Sequence, residues 1–317
     1  MMRRLREDRG QSFAFVAIAL TALVGMTAFV VDVGAWFRAD RQLQSVADAA
    51  ALAGAQALPY DPAKALLLAQ DYAKKNGGPT AESMKIEKDL VTNDTINVTY
   101  SDKVPGFFAK VLGIDSVTVR ANAKARASTP AGARWVAPIV VSEKHPLLGC
   151  TSPGKCNPIF DVETVLTLDD LKVAGGPTAA GAFGLLNLVQ GDSTGTVGAK
   201  DLAAWLDKGY DQTMSPGTYY SVPSAMFNSS EFQAALADKI KSGDEILFPI
   251  YRKIIKNGSN AEYTIVGWVG FVITGTLGSG SLQTITGHFT RVVWDGLPSD
   301  SGNSTPDYGV HVVSLTG

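Results

Sequence analysis

Histidine and cysteine are scarce in this chain: 317 residues hold three of the first and two of the second. Cys150 and Cys156 have no second Cys/His pair nearby, so they lack the ligands that a zinc-type site needs. Charge is also thin. Charged residues make up 18% of the chain, against a usual share of about a quarter. That deficit fits a chain with part of its length in lipid. The net charge is −2, and no Lys/Arg stripe with interleaved aromatics is present. These absences exclude an electrostatic nucleic-acid surface. Proline is missing before Pro59, so nothing in the first 58 residues forces a helix to stop.

The two cysteines stand in Cys-Thr-Ser-Pro-Gly-Lys-Cys. Pro153-Gly154 between them is a turn signal that brings the thiols together. In an oxidising compartment the reading is a local disulfide closing a small loop. So short a loop yields a chain-entropy gain of about 2 kcal/mol, so its role would be local shape.

Ser12 to Val31 reads SFAFVAIALTALVGMTAFVV and carries no charge. That is the length needed to cross a hydrocarbon core. Arg3, Arg4, Arg6 and Arg9 precede it and Asp32 follows it. Arginines on the leading side keep that end in the cytoplasm, so the rest is expected on the far side. A cleaved signal peptide is the competing reading. Against it, the apolar region is too long and no small-x-small site follows closely. A soluble core helix is the third reading, disfavoured by a stretch that is apolar all round. Within the segment Ala17, Thr21 and Gly25 recur at four-residue spacing, which permits close helix–helix approach in lipid. Small residues are also simply common in membrane helices.

The helix is expected to continue past the apolar stretch. Trp36, Ala39, Leu43, Val46, Ala50, Ala53 and Ala57 alternate spacings of three and four, a heptad seam made mostly of small residues. Ala47 and Gly54 belong to the same Ala-rich surface. Residues 11 to 57 then form one helix of roughly 70 Å. Its second half packs on a partner or on the chain's own head, and the spacing does not separate the two.

Several elements stand in a fixed order here. Arg9-Gly10 runs into the apolar helix. Asp32-Val33-Gly34 leads to Trp36 and Phe37, then to Arg41-Gln42-Leu43-Gln44. Ala47-Asp48-Ala49-Ala50-Ala51-Leu52-Ala53-Gly54-Ala55 closes the series. This order resembles the TadE/TadG-like proteins of Flp-type (Tad) pilus assembly. The resemblance continues more loosely to about residue 127 and implies a pilin-like α+β module. It also implies a membrane-anchored interaction protein whose partners are other pilin-like or assembly proteins met through the N-terminal helix. Two features of such proteins are not carried over. The run QSFAFVAI lacks the Glu of processed pseudopilins, and no Asp-x-Ser-x-Ser metal motif is present.

Within the module, Asp61 to Asn76 reads as a helix ended by Gly77-Gly78-Pro79. Met84–Lys88 and Thr95–Tyr100 read as strands, and Val104–Leu112 as a short helix closed by Gly113. Val117 to Ala127 alternates as a half-buried strand should. Ser128 to Arg134 reads as a linker. Residues 135–317 have a β rhythm. Strands are expected at Trp135–Val141, Phe183–Val189, Glu245–Ile255, Tyr263–Thr274, Leu282–Trp294 and Val310–Leu315. Asn257-Gly258 is a hairpin turn signal. Short helices are expected at Ala199–Leu206 and Ser230–Ile240, the latter capped by Ser230.

Gly191-Asp192-Ser193-Thr194-Gly195 fits the Gly-x-Ser-x-Gly pattern of a nucleophile elbow. An anchored hydrolase of the envelope would use Ser193 with His288 or His311. The context argues against it, since no alternation of strands and full helices surrounds the motif. Asp169-Asp170 reads as a capping or solvated pair.

The expectation is therefore an α+β chain in five parts. They are a basic tail (1–11), a transmembrane helix (12–31), a pilin-like module (32–127), a linker (128–134) and an exported β-rich domain (135–317). The protein would be single-pass in an inner or plasma membrane, with its N-terminus cytoplasmic. Its partners would be the bilayer and other assembly proteins. No catalysis, cofactor, metal, nucleic acid or small-molecule substrate is expected. The alternatives are the Ser193 hydrolase and a general envelope interaction protein outside any pilus system.

Overall fold

A computed structural model describes residues 8–168, 182–192, 197–255, 261–277, 284–300 and 305–316. The architecture is α+β: a long N-terminal helix, a few shorter helices, and a C-terminal part made mostly of strands. Two compact units divide the chain, residues 1–126 with 315–317, and residues 127–314.

The first unit is built on α1 (Asp8–Ala55), 48 residues without a break. Its uncharged 12–31 stretch runs into an Ala-rich second half, and with no proline in either the backbone has no reason to stop. Among the described residues this is the one helix long and apolar enough to cross a membrane, with a mean hydropathy of 2.4 over its most apolar window. Its side chains from Phe13 to Val31 are exposed except for Ala28, which is half-buried. From Leu43 onward the helix has a buried face.

That face meets α2 (Pro62–Lys75). Asp61 caps α2 by accepting from the Lys64 N–H at 2.9 Å, and Pro62 takes the first helical position, where a missing N–H costs nothing. Ala65, Ala69 and Ala73 recur every fourth residue and are buried. The approach is close because Gly54 lacks a side chain. A Cβ there would stand 3.0 Å from the Ala65 carbonyl oxygen and 2.7 Å from Ile96 Cδ1.

Three antiparallel strands complete the unit: β1 (Ser83–Glu87), β2 (Thr95–Pro105) and β3 (Ser116–Ser128). Ile96, Val98 and Tyr100 stand opposite Ala125, Ala123 and Ala121, and all six are buried. The other face carries Asn97, Thr99 and Asn122, which hydrogen-bond across the strands. Asp94 shapes the β1–β2 turn by accepting from the backbone N–H groups of Asp89, Leu90 and Val91 at 2.7–2.8 Å. β2 is longer than expected and runs on to Pro105. The stretch read as a helix at Val104–Leu112 is therefore the end of β2, a turn, and a 3-10 helix at Ala109–Leu112.

The second unit contains β4 (Pro130–Ala133), β5 (Ile139–Ser142), β6 (Glu163–Leu168), β7 (Ala182–Asn187), α3 (Ala199–Lys208) and β8 (Gly217–Ser221). It continues with α4 (Ser230–Ser242), β9 (Glu245–Ile255), β10 (Glu262–Leu277) and β11 (Thr284–Thr290). Then come β12 (Val292–Val293), β13 (Gly296–Pro298) and β14 (Val310–Leu315). Its main sheet runs β11-β6-β7-β5-β9-β10-β8. Further pairings of β11 with β10 and β7 with β8 close it on itself. Side chains from alternate positions feed two cores. Phe248, Phe271 and Phe289 pack with Leu202, Leu206, Phe232 and Leu236 of α3 and α4. Tyr251, Tyr263 and Trp268 pack on the opposite side.

Three local expectations are corrected. The stretch read as a linker, 128–134, holds β4, which pairs with β13. The cap of α4 is Ser229, whose hydroxyl accepts from the Phe232 N–H, and Ser230 is the first helical residue. The strand expected from Trp135 begins only at Ile139. Trp135 adopts φ 56° and binds the Tyr210 carbonyl instead. Gly209 permits that contact, since a Cβ there would lie 2.4 Å from the Trp135 Cα. The Asn257-Gly258 turn and Asp169-Asp170 lie outside the described residues.

Candidate functional site

The most informative geometry lies along α1. Leu43, Ala47 and Ala50 are buried, and Gly54 is packed against Ile96 and Ala65 of the same unit. Val46 reaches Gly78, where a Cβ would stand 2.3 Å from Val46 Cγ1. Gln44 donates through Nε2 to the Asn122 carbonyl at 3.1 Å and to Asp48 at 2.8 Å. Of the two readings left open for the small-residue seam, the structure has it packed on the chain's own head. Ala17, Thr21 and Gly25 are exposed. The Thr21 hydroxyl donates to the Ala17 carbonyl at 2.8 Å, so it carries no unmet polar demand into an apolar surrounding. A Cβ on Gly25 would meet nothing within 4 Å.

Between these halves stands Asp32, one turn before Trp36. Its side chain is 1% exposed. One carboxylate oxygen accepts from the Phe107 N–H at 2.9 Å; the other accepts from Phe108 at 2.8 Å and from Ala109. These N–H groups open the 3-10 helix and have no partner within it. A carboxylate is the acceptor best suited to them, since charge-assisted bonds are stronger than neutral ones. Gly106 lies beside Trp36, with a would-be Cβ 3.5 Å from the indole. The β2–β3 hairpin is thereby tied by its tip to the end of the apolar stretch. Sequence reading found Asp32 as the residue that ends the apolar run but not its partners. The available signal was Pro105-Gly106 followed by the apolar run Phe107-Phe108.

The second unit holds a buried acid. Glu143 accepts from Arg252 at 2.6 and 2.9 Å and from the Tyr308 hydroxyl at 2.9 Å. Burial opposes its ionisation, but Arg252 and Tyr308 outweigh that and hold the carboxyl below its usual value. Burial, together with Glu143, pushes the Tyr308 phenol up. The sulfurs of Cys150 and Cys156 lie near this carboxylate and are joined to each other. Sulfurs so bonded supply no thiolate for a metal. Arg252 and Tyr308 supply the ion pair and hydrogen bonds that make a buried carboxylate structural.

His145 is buried, and burial lowers its pKa. Its Nδ1 accepts from the Leu147 N–H at 3.2 Å, Nε2 lies 3.3 Å from the Thr164 hydroxyl, and the ring meets Phe289 edge-on. His288 lies on β11 opposite Val272 and Glu163, and His311 on β14 beside Asp307. Ser193 lies outside the described residues.

No curated protein and no solved structure matches the chain. Residues 10–57, which run from near the start of α1 into the turn after it, match the model of the Flp pilus-assembly TadE/G-like family.

Proposed function

We propose that the chain is a non-enzymatic, membrane-anchored component of Flp/Tad-type pilus assembly. The observation that carries this is the coincidence of the family match with α1 alone. The matched segment has two halves with different environments. Its first half is exposed and apolar on every side, as a helix solvated by lipid or by neighbouring helices must be. Its second half is consumed by packing against α2 and the sheet. Contact with other assembly proteins then falls to the lipid-level half, where Ala17, Thr21 and Gly25 allow close approach.

The arginines at positions 3, 4, 6 and 9 support a cytoplasmic N-terminus, with the second unit outside. A disulfide between Cys150 and Cys156 agrees with an oxidising compartment. The test is protease accessibility of a C-terminal tag in intact cells, with chain mass and membrane fractionation read on the same sample. A full-length, membrane-bound chain digested from outside supports the reading. A shortened, released chain overturns it.

A further inference from the structure

The tip of the β2–β3 hairpin is exposed and apolar in a way that the anchoring helix does not explain. Val111 is 87% exposed, Phe107 77% and Leu112 75%, with Phe108 and Ile114 also exposed. Water-facing hairpin tips usually carry Gly, Asn, Asp or Ser, whereas contiguous apolar patches mark an interaction surface. We infer that residues 107–114 dip into the leaflet of the same bilayer that α1 crosses, as a second membrane contact beside the anchor.

The position of the tip argues for lipid over any other occupant. Asp32 binds the backbone of Phe107, Phe108 and Ala109, and Asp32 is the residue at which the uncharged 12–31 stretch ends. The tip is therefore held at the level where hydrocarbon gives way to headgroups. The apolar surface is also continuous with the lipid-level surface of α1. Phe108 lines one groove with Leu23, Val24, Thr27 and Val31. The direction of the hairpin agrees. Gln44 marks the level of Asn122, and twelve helical residues separate it from Asp32, so the tip reaches about 18 Å further toward the membrane. Polar groups return where a headgroup boundary would place them. Lys110 is exposed among the apolar side chains, and its ammonium can rise to lipid phosphates while its stem stays in the apolar layer. Asp102, Lys103 and Asp115 lie on the strand side of the tip.

This inference rests on the anchoring reading, and one experiment separates their failures. The full chain carries its two cysteines as a disulfide, so Val111→Cys, Val24→Cys and Thr118→Cys each offer one thiol for an environment-sensitive fluorophore. All three side chains are exposed, so labelling displaces no buried side chain. The labelled proteins are reconstituted in phosphatidylcholine–phosphatidylglycerol vesicles and quenched with iodide or with doxyl-labelled lipid. The expected result is several-fold stronger lipid quenching at Val111 than at Thr118, by shallow doxyl groups, with deeper quenching at Val24. Iodide quenching at Val111 with lipid quenching at Val24 overturns the second contact and leaves the anchor. Iodide quenching at both positions overturns both readings. Shielding at Val111 that vanishes on dilution with lipid shows a second copy covering the tip, and also overturns the inference.

Discussion

The Asp32 carboxylate accepts a hydrogen bond from the Phe108 N–H at 2.8 Å, across 76 residues of sequence. Side chain meets backbone at the end of the apolar stretch, and with Phe107 and Ala109 the bond sets where the hairpin tip stops. Asp32→Ala should leave these N–H groups without their carboxylate acceptor and loosen the hairpin tip of the first unit. Hydrogen exchange read peptide by peptide should show faster exchange at 105–115 and unchanged exchange in the second unit. Equal protection at 105–115 would mean that the bonds contribute nothing to holding the tip.

Two glycines on α1 should respond oppositely to the same change. Gly54→Leu forces a side chain into the Ala65 carbonyl and Ile96, and should destabilise the first unit by about 3 kcal/mol or more. Gly25→Leu meets empty space and should leave unfolding unchanged while weakening crosslinks between neighbouring membrane helices. Thermal unfolding in detergent and crosslinking in membranes read the two effects. Crosslinking that survives Gly25→Leu would remove the four-residue stripe as a contact.

In the second unit the pair of Glu143 and Arg252 is asymmetric, the acid buried and the guanidinium partly wet. Arg252→Met should leave a buried carboxylate with Tyr308 as its remaining side-chain donor, costing about 3 kcal/mol. Replacing both residues, Glu143→Leu with Arg252→Met, should recover much of that loss, because no charge then stays buried. Denaturant midpoints of the single and double variants decide it, and a double variant less stable than the single would refute the account.

Acid should weaken the protein in two stages. Burial lowers the pKa of His145, so its unfolded form binds a proton that the folded form refuses. Stability of the second unit then falls as pH drops below about 6.5, the ordinary histidine value. Asp94 and Glu143 are carboxylates held below their ordinary values. At Asp94 burial opposes the shift, and the N–H groups of Asp89, Val91 and Leu90 overcome it. Their contributions are present above the unfolded value of about 4 and are lost as pH falls through the folded one. Denaturation at pH values bracketing about 6.5 and about 4 should show both stages, and His145→Gln should remove the first.

The N-terminal segment was legible in the sequence because its determinants are local. Charge, length and the absence of proline decide an apolar helix without reference to the rest of the chain, and the order from Arg9-Gly10 to the Ala-rich run lies within the segment that matches the TadE/G-like family model. The boundaries of α2, β9 and β14 were also near at hand, since caps, Gly-Gly and β-branched runs act within a few residues. Tertiary structure alone decided what the small residues of α1 touch, because one heptad seam suits a partner helix and an intramolecular one equally well. It alone decided that Val104–Pro105 extend a strand, a case where pairing with Ser116 and Val117 overrides a helix-like pattern. It also decided the cap at Ser229, one residue before the one chosen from composition. The partners of Asp32 and Glu143 lay beyond sequence reasoning for the same reason: hydrogen bonds spanning 76 and 109 residues leave no periodic or local trace.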